Sequence, residues 1–379
     1  MRKQITLGMI MAGFAVISLI SCNDKPETDV EQQKETKDSI IKENKDVSLK
    51  PNGAAPEWGL TIKDEMAVVI EKLSALGGKP IETLTAKEAR MQPTPTDAVM
   101  LVMKDHNMAL PPALCDTVGM EIPVTNGKTH IRIYTPKEAA SSYPVIVYYH
   151  GGVWVIADIN VYNVSAQALC EQVGAIVVSV EYPKGPENKF PAAHITAYSA
   201  YEWVVKNAAT FKGDATKIAV VGESAGGNLA ANVSIMARDK KQTLPVYEVL
   251  VYPVANNDMK AESYIKYAAA KPLNTPMMGW FVQNALGSPA KATDPRISLI
   301  KANLKGLPPT LIIAAEIDPL QSEGWLLRDL LKEADVETDY ELYKGVTHEF
   351  FGMAAVVPQA REAQELVAKK LKSAFKNSN

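Results

Sequence analysis

The segment Gly222-Glu223-Ser224-Ala225-Gly226 stands between an apolar run at 218–221 and an apolar, helix-like stretch at 227–238. Small residues on both flanks let a chain turn sharply from strand to helix and push the central serine into strained geometry. Such a turn exposes the hydroxyl at the carboxyl edge of a sheet. The helix amino terminus beneath it favours developing negative charge. G-x-S-x-G alone is a weak signal, because small residues cluster in many turns. Its strand–turn–helix setting makes Ser224 a candidate nucleophile.

A serine nucleophile needs a base, usually histidine. The chain has five. His106 lies in a helical lead-in, His130 opens an early strand, His150 precedes two glycines at a strand end, and His194 falls at a helix start after Pro191. His348, in Thr347-His348-Glu349-Phe350, follows the last strand. Where the nucleophile sits on such a turn, the order along the chain is nucleophile, acid, histidine, which leaves His348. The acid should leave a strand end between the two. Asp318, in Ala315-Glu316-Ile317-Asp318-Pro319-Leu320, does so and would orient the imidazole. Glu316, nearer the strand body, and Asp335, in the next helix-to-strand turn, are its competitors. Acyl transfer also needs donors for an oxyanion. His150-Gly151-Gly152-Val153-Trp154 follows the apolar strand at 145–149. The N–H groups of Gly151, Gly152 and Val153, with that of Ala225 after the nucleophile, are the candidates.

These residues need a sheet to hold them. The region 58–110 carries helical periodicity (Met66, Val69, Ile70, Leu73, Leu76, then Val99, Val102, Met103) and no strand pattern, so it reads as packing or as a lid. From Val118 onward strands and helices alternate. Strands are expected at 130–134, 145–149, 175–180, 218–221, 246–252, 310–315 and 338–342. Helices are expected at 165–173, 196–207, 227–238, 322–333 and from about Gln359. The β-branched run at 175–180 suits a strand buried on both faces. The order implies an α/β fold with a mostly parallel sheet and helices on both faces. Residues 255–298 interrupt the alternation as a second lid candidate.

With these motifs in order, the chain from about Asp64 onward resembles the bacterial hormone-sensitive-lipase-like branch of the α/β-hydrolases. Glu181-Tyr182-Pro183, Phe190-Pro191-Ala192-Ala193, Asp294-Pro295-Arg296-Ile297-Ser298 and Gly306-Leu307-Pro308-Pro309-Thr310 add to the likeness. The resemblance implies an esterase with Ser224, Asp318 and His348 as triad, and a helical cap made of 58–112 and 255–298. Two positions depart from the family pattern. Val153 stands where a third glycine is usual, and Glu223 where Asp commonly precedes the nucleophile. Amide or peptide hydrolysis by the same triad is the rival chemistry. A non-catalytic binding lipoprotein on a hydrolase fold is the rival class.

Composition and the amino terminus bound the rest. With 47% hydrophobic and 22% charged residues the chain is globular rather than disordered. A net charge of −3 carries no basic excess for nucleic acid. Three cysteines without a CxxC pair suggest neither a disulfide framework nor a zinc site, and no cofactor or metal is expected. Arg2 and Lys3 precede an apolar run from Ile5 to Ile20, shorter than the roughly 20 residues of a spanning helix. Ser21-Cys22 closes it and resembles a bacterial lipoprotein processing site. Residues 1–21 are therefore expected as a signal peptide, with lipid on Cys22 anchoring an exported, cell-envelope protein. Residues 22–57, lacking aromatic residues until Trp58 and rich in Asp, Glu and Lys, read as a flexible tether. Residues 58–379 form the hydrolase domain. Cys115 and Cys170 could pair or remain buried thiols. The expected partner is a small ester; oligomeric state is left open.

Overall fold

The computed structural model describes residues 26–256 and 258–378. The helices are α1 (Pro26–Lys45), α2 (Asp64–Ala75), α3 (Ala86–Ala89), α4 (Pro95–Asp105), α5 (Asn163–Val173), α6 (Ala192–Asn207), α7 (Ala225–Asp239), α8 (Glu262–Lys266), α9 (Thr275–Leu286), α10 (Gln321–Glu333) and α11 (Pro358–Asn377). The strands are β1 (Cys115–Val124), β2 (Gly127–Pro136), β3 (Tyr143–Tyr149), β4 (Ile176–Glu181), β5 (Gly213–Glu223), β6 (Glu248–Val251), β7 (Thr310–Ile317) and β8 (Thr338–Thr347).

The strands form one sheet in the order β1-β2-β4-β3-β5-β6-β7-β8. β1–β2 and β2–β4 pair antiparallel, and every other pair is parallel. Successive side chains on a strand point to opposite faces. Val145, Val147 and Tyr149 accordingly join the core under α6, α7 and α10, while Ile146 and Tyr148 join the core under α5, α11, α2 and α4. Parallel strands covered on both faces explain why their sequences are nearly continuous apolar runs. The α/β architecture expected from the alternation is the one observed.

Local signals explain the shorter elements. Thr85 with Glu88 and Thr94 with Asp97 form capping boxes that start α3 and α4, and Pro95 occupies the first turn of α4. Gly174 and Gly287 close α5 and α9 with left-handed φ of 71° and 69°. β8 runs on to Thr347, five residues past the expected end, and so delivers His348 directly from a strand.

Three expectations differ from the structure or fall outside it. β1 is an edge strand whose residues are mostly exposed, so it lacks the apolar signature that marked the other strands. Within the expected flexible tether, residues 26–45 form α1. Glu, Gln and Lys are good helix formers and make i,i+4 contacts such as Gln33 to Asp29 at 3.2 Å, so a helix needs no aromatic content there. α1 rests on the body through Lys34–Glu138 and Lys37–Glu171, and beyond it Leu49, 3% exposed, packs into the core. Cys22 and the apolar leader lie outside the described residues. Among the described residues no helix is long and apolar enough to cross a membrane. Cys115 and Cys170 are both free and buried.

Candidate active site

β5 ends at Glu223 and α7 begins at Ala225, so Ser224 alone makes the turn. Its φ of 56° and ψ of −116° lie where non-glycine residues are rarely found. The flanking glycines are required by packing. A Cβ on Gly222 would strike the Gly226 carbonyl, and one on Gly226 would strike the Tyr149 carbonyl of β3. Ser224 N–H donates to Val251 O at 2.8 Å, which pins the elbow to β6.

His348 follows β8 and brings its Nε2 to 3.0 Å from Ser224 Oγ. Its Nδ1 lies 2.7 Å from Asp318 Oδ2, and Asp318 Oδ1 accepts the Leu320 N–H at 2.9 Å. The three residues expected from the sequence thus form one hydrogen-bonded chain, and all three are buried. Burial opposes a charge on His348, but the facing Asp318 carboxylate and its hydrogen bond outweigh it. The imidazole is held above its ordinary value. The competing acids are placed elsewhere: Glu316 accepts the Gly345 N–H at 2.7 Å, and Asp335 sits at φ 59° in the turn before β8.

The other histidines do different work. His150 is buried, stacked on Tyr182 at 4.2 Å between ring centroids, and its Nδ1 faces Gly151 O at 2.8 Å. Desolvation lowers it to about 4, so it is neutral. His194 meets Asn228 Oδ1 at 2.9 Å in the core. His130 faces Glu121, and His106 is exposed at the end of α4.

The oxyanion candidates surround the serine. Gly152 and Val153 line the same cavity as Ser224 and His348; Gly151 and Ala225 are buried beside them without lining it. Among the described residues the N–H groups of Gly151, Gly152 and Val153 meet no protein acceptor, and Ala225 opens a helix, where an N–H has none within the helix. Gly151 lies against the Tyr162 hydroxyl, which leaves no room for a side chain.

Two carboxylates beside the triad had no assigned role from the sequence. Glu223 accepts the Tyr148 hydroxyl at 2.6 Å and the Tyr252 hydroxyl at 2.5 Å. The extra methylene relative to Asp lets it reach both, tying the elbow to the ends of β3 and β6. Burial, with the charge of Glu349, pushes Glu223 up to about 7. Glu349 accepts the Tyr162 hydroxyl at 2.6 Å and approaches His348 Nε2 at 3.9 Å. Burial raises its carboxyl as well. Tyr148 and Tyr252, at the ends of apolar strands, are a sequence cue for the Glu223 contacts, while Tyr162 precedes α5 and carries no such cue for Glu349.

Above Ser224 lies a cavity of about 440 Å³. Leu73, Ile81 and Pro93 from the lead-in, and Leu273, Met277 and Phe281 from the second inserted segment, line it. Of the periodic lead-in residues that read as packing or lid, Leu73 faces it, and the second lid candidate contributes Leu273, Met277 and Phe281. Met66, Met103, Met108 and Met278 are core, Trp280 donates through Nε1 to Leu84 O at 3.0 Å, and Met91 and Met100 are 80% and 39% exposed. Among the described residues no cluster of three His, Cys, Asp or Glu side chains could hold a metal ion.

Residues 146–352 match a family model described as the alpha/beta hydrolase fold. Carboxylesterase NlhH of Mycobacterium tuberculosis is 35% identical over 237 residues, covering 62% of this chain and 74% of that protein. Ethyl acetate hydrolase of Pseudomonas putida is 28% identical over 321 residues, covering 82% and 99%. Among solved structures, an esterase of Pyrobaculum calidifontis superposes with a TM-score of 0.72 at 35% identity, covering 80% of this chain and 96% of its own. The elbow, the sheet order and these matches agree, and the chain belongs to the α/β-hydrolase family, in its hormone-sensitive-lipase-like branch.

Proposed function

We propose that the protein is a serine carboxylic-ester hydrolase that works through an acyl-enzyme on short-chain acyl or acetyl esters. The observation that carries this reading is the unbroken Ser224–His348–Asp318 chain at the floor of the cavity. His348 Nε2 takes the Ser224 proton as Oγ attacks the ester carbonyl carbon. Asp318 keeps the proton on Nδ1 and stabilises the imidazolium. The N–H groups of Gly151, Gly152, Val153 and Ala225 receive the oxyanion. Collapse breaks the bond to the alcohol, which leaves with the proton held by His348. Water, deprotonated by the same imidazole, then releases the acid.

Three features support short acyl groups: the limited cavity, the Val153 side chain at its wall, and a relative named for ethyl acetate. Each methylene left outside the cavity forgoes about 0.8 kcal/mol of burial. A kcat/KM series on p-nitrophenyl esters from acetyl to palmitoyl should therefore peak at or below about six carbons; a maximum at C12 or longer removes the assignment. In the same preparation a fluorophosphonate probe should label wild type and leave Ser224→Ala unlabelled. Ser224→Ala and His348→Ala should each lose about 10⁴–10⁶ in kcat, non-additively. Faster turnover of matched amides would favour the peptide-hydrolase reading instead.

The same proposal places the protein at the bacterial cell envelope, held by lipid on Cys22. The support is Ser21-Cys22 closing the apolar leader. More than one acyl chain, at about 0.8 kcal/mol per buried CH₂, makes such an anchor durable. Mass spectrometry of the mature amino terminus decides: an unmodified terminus, or one at another residue, ends the lipoprotein reading.

A further inference from the structure

The turn that carries the oxyanion donors is held in an unfavourable shape. Gly152, Val153, Trp154 and Ala157 have φ of 94°, 44°, 57° and 60°, and three of the four carry side chains. Non-glycine residues enter that region at a cost, and the geometry persists only where surrounding contacts over-determine it. Inside the turn, the N–H groups of Val155 and Ile156 both donate to Gly152 O at 3.0 Å. From the neighbouring loop, Gly185 N–H donates to Trp154 O at 2.8 Å.

Two more carbonyls of these segments are claimed by one distant side chain. Arg90 Nε donates to Val155 O at 2.8 Å, and its Nη2 donates to Gly185 O at 2.6 Å. Nη1 and Nη2 also meet both oxygens of Glu187, at 2.9 and 2.7 Å. Four of the five guanidinium donors are thereby occupied. Although Arg90 borders the cavity, its charge is already matched by Glu187 and it is not free to bind an anionic substrate. Arg90 itself directly follows α3, whose capping box fixes the short helix, and Trp280 of α9 ties down the adjoining Leu84 carbonyl. The planar fork is suited to this task in a way a lysine is not.

We propose that Arg90 is a positioning residue for the oxyanion turn: its guanidinium clamps the Val155 and Gly185 carbonyls and so holds the strained backbone that presents the Gly152 and Val153 N–H groups. The inference rests on the esterase reading and adds that residues 81–90, remote in sequence, set the quality of the oxyanion site. Loss of the clamp lets the turn relax toward ordinary φ, while the triad, built on other elements, keeps its geometry.

The test compares wild type, Arg90→Ala and Arg90→Lys in the full chain, with p-nitrophenyl butyrate as substrate. A butyl trifluoromethyl ketone, which forms a tetrahedral adduct with the serine, serves as the oxyanion probe, and butyrate as the ground-state probe. Arg90→Ala should lose about 10- to 100-fold in kcat with KM within about twofold. Its Ki for the ketone should rise by a similar factor while that for butyrate stays put, and Arg90→Lys should recover part of both losses. An Arg90→Ala enzyme as fast as wild type, or one that slows without weaker ketone binding, overturns the proposal. If Arg90→Ala fails to fold by circular dichroism, Arg90→Lys decides on the same two constants. A wild-type chain without ester turnover overturns the esterase reading and this proposal together; a fast variant overturns only this one.

Discussion

At the scale of single residues, the site is a set of opposed charges taken out of water. His348 sits between Asp318, 2.7 Å from Nδ1, and Glu349, 3.9 Å from Nε2. Both carboxylates favour the imidazolium against the cost of burial, and the result is a raised value. The base works only when neutral, so kcat/KM should climb as pH rises through a midpoint above 6.5, the ordinary imidazole value. Glu349→Gln removes one of the two anions and should move that rising limb toward lower pH, leaving the variant relatively faster in acid. A limb that stays in place would show that Glu349 does not act on the base. Asp318→Asn should lose about 10⁴ in kcat, because the tautomer with the proton on Nδ1 is no longer enforced. Pre-steady-state measurement of acylation with p-nitrophenyl acetate checks it.

At the scale of elements, strands and helices are joined by a few buried polar contacts as well as by apolar burial. Glu248 at the start of β6 is an example far from the chemistry. It accepts Ser234 Oγ of α7 at 2.6 Å and Thr310 Oγ1 of β7 at 2.9 Å. Burial nevertheless dominates and pushes it up to about 7 from 4.5. The folded chain therefore binds this proton more tightly than the unfolded one, and stability falls as pH rises from about 4.5 to about 7. Glu323, which binds the Ala255 and Asn256 N–H groups and is pushed up to about 8, acts in the same direction. Glu248→Gln keeps a hydrogen-bonding side chain that cannot ionise. Its stability relative to wild type should improve by on the order of 1–3 kcal/mol between pH 4.5 and pH 8. Urea unfolding at the two pH values reads this, and an equal effect at both would refute it. The docking of α1 is of another kind. The exposed Lys34–Glu138 pair contributes only about 0–1 kcal/mol, whereas Lys37–Glu171 is largely shielded and is the stronger of the two ties.

At the scale of the whole molecule, the site collects groups from six separate stretches of chain. The nucleophile comes from the β5–α7 elbow, the base from the end of β8, and the acid from the end of β7. The oxyanion turn follows β3. The cavity roof comes from one segment before β1, residues 73–95, and one between β6 and β7, residues 271–281. Trp280 joins the two roof segments through Leu84 O, and Arg90 links the roof to the oxyanion turn, so substrate enclosure and transition-state stabilisation share supports. The apolar lining of the roof is proline, leucine and isoleucine, joined by Met277 and Phe281.

The parts of this protein legible from sequence alone are those with a local signature. Period-two and period-3.6 patterns reveal β2 to β8 and the long helices, because burial on one face repeats along the chain itself. Ser224 was legible because its turn demands glycines two residues away on either side, and His348 because chain order eliminated its rivals. Asp318 could be ranked above Glu316 and Asp335, but only the closing of the sheet put it 2.7 Å from the imidazole. The exposed edge strand β1 and the polar helix α1 carry little apolar pattern, and sequence reasoning gave them no defined structure. The tyrosine cage of Glu223, the Tyr162–Glu349 contact and the Arg90 clamp join residues 29 to 187 positions apart. No pattern along the chain encodes such pairs; they exist because β-sheet register and helix docking fix distances between segments, and that is decided only in the tertiary structure.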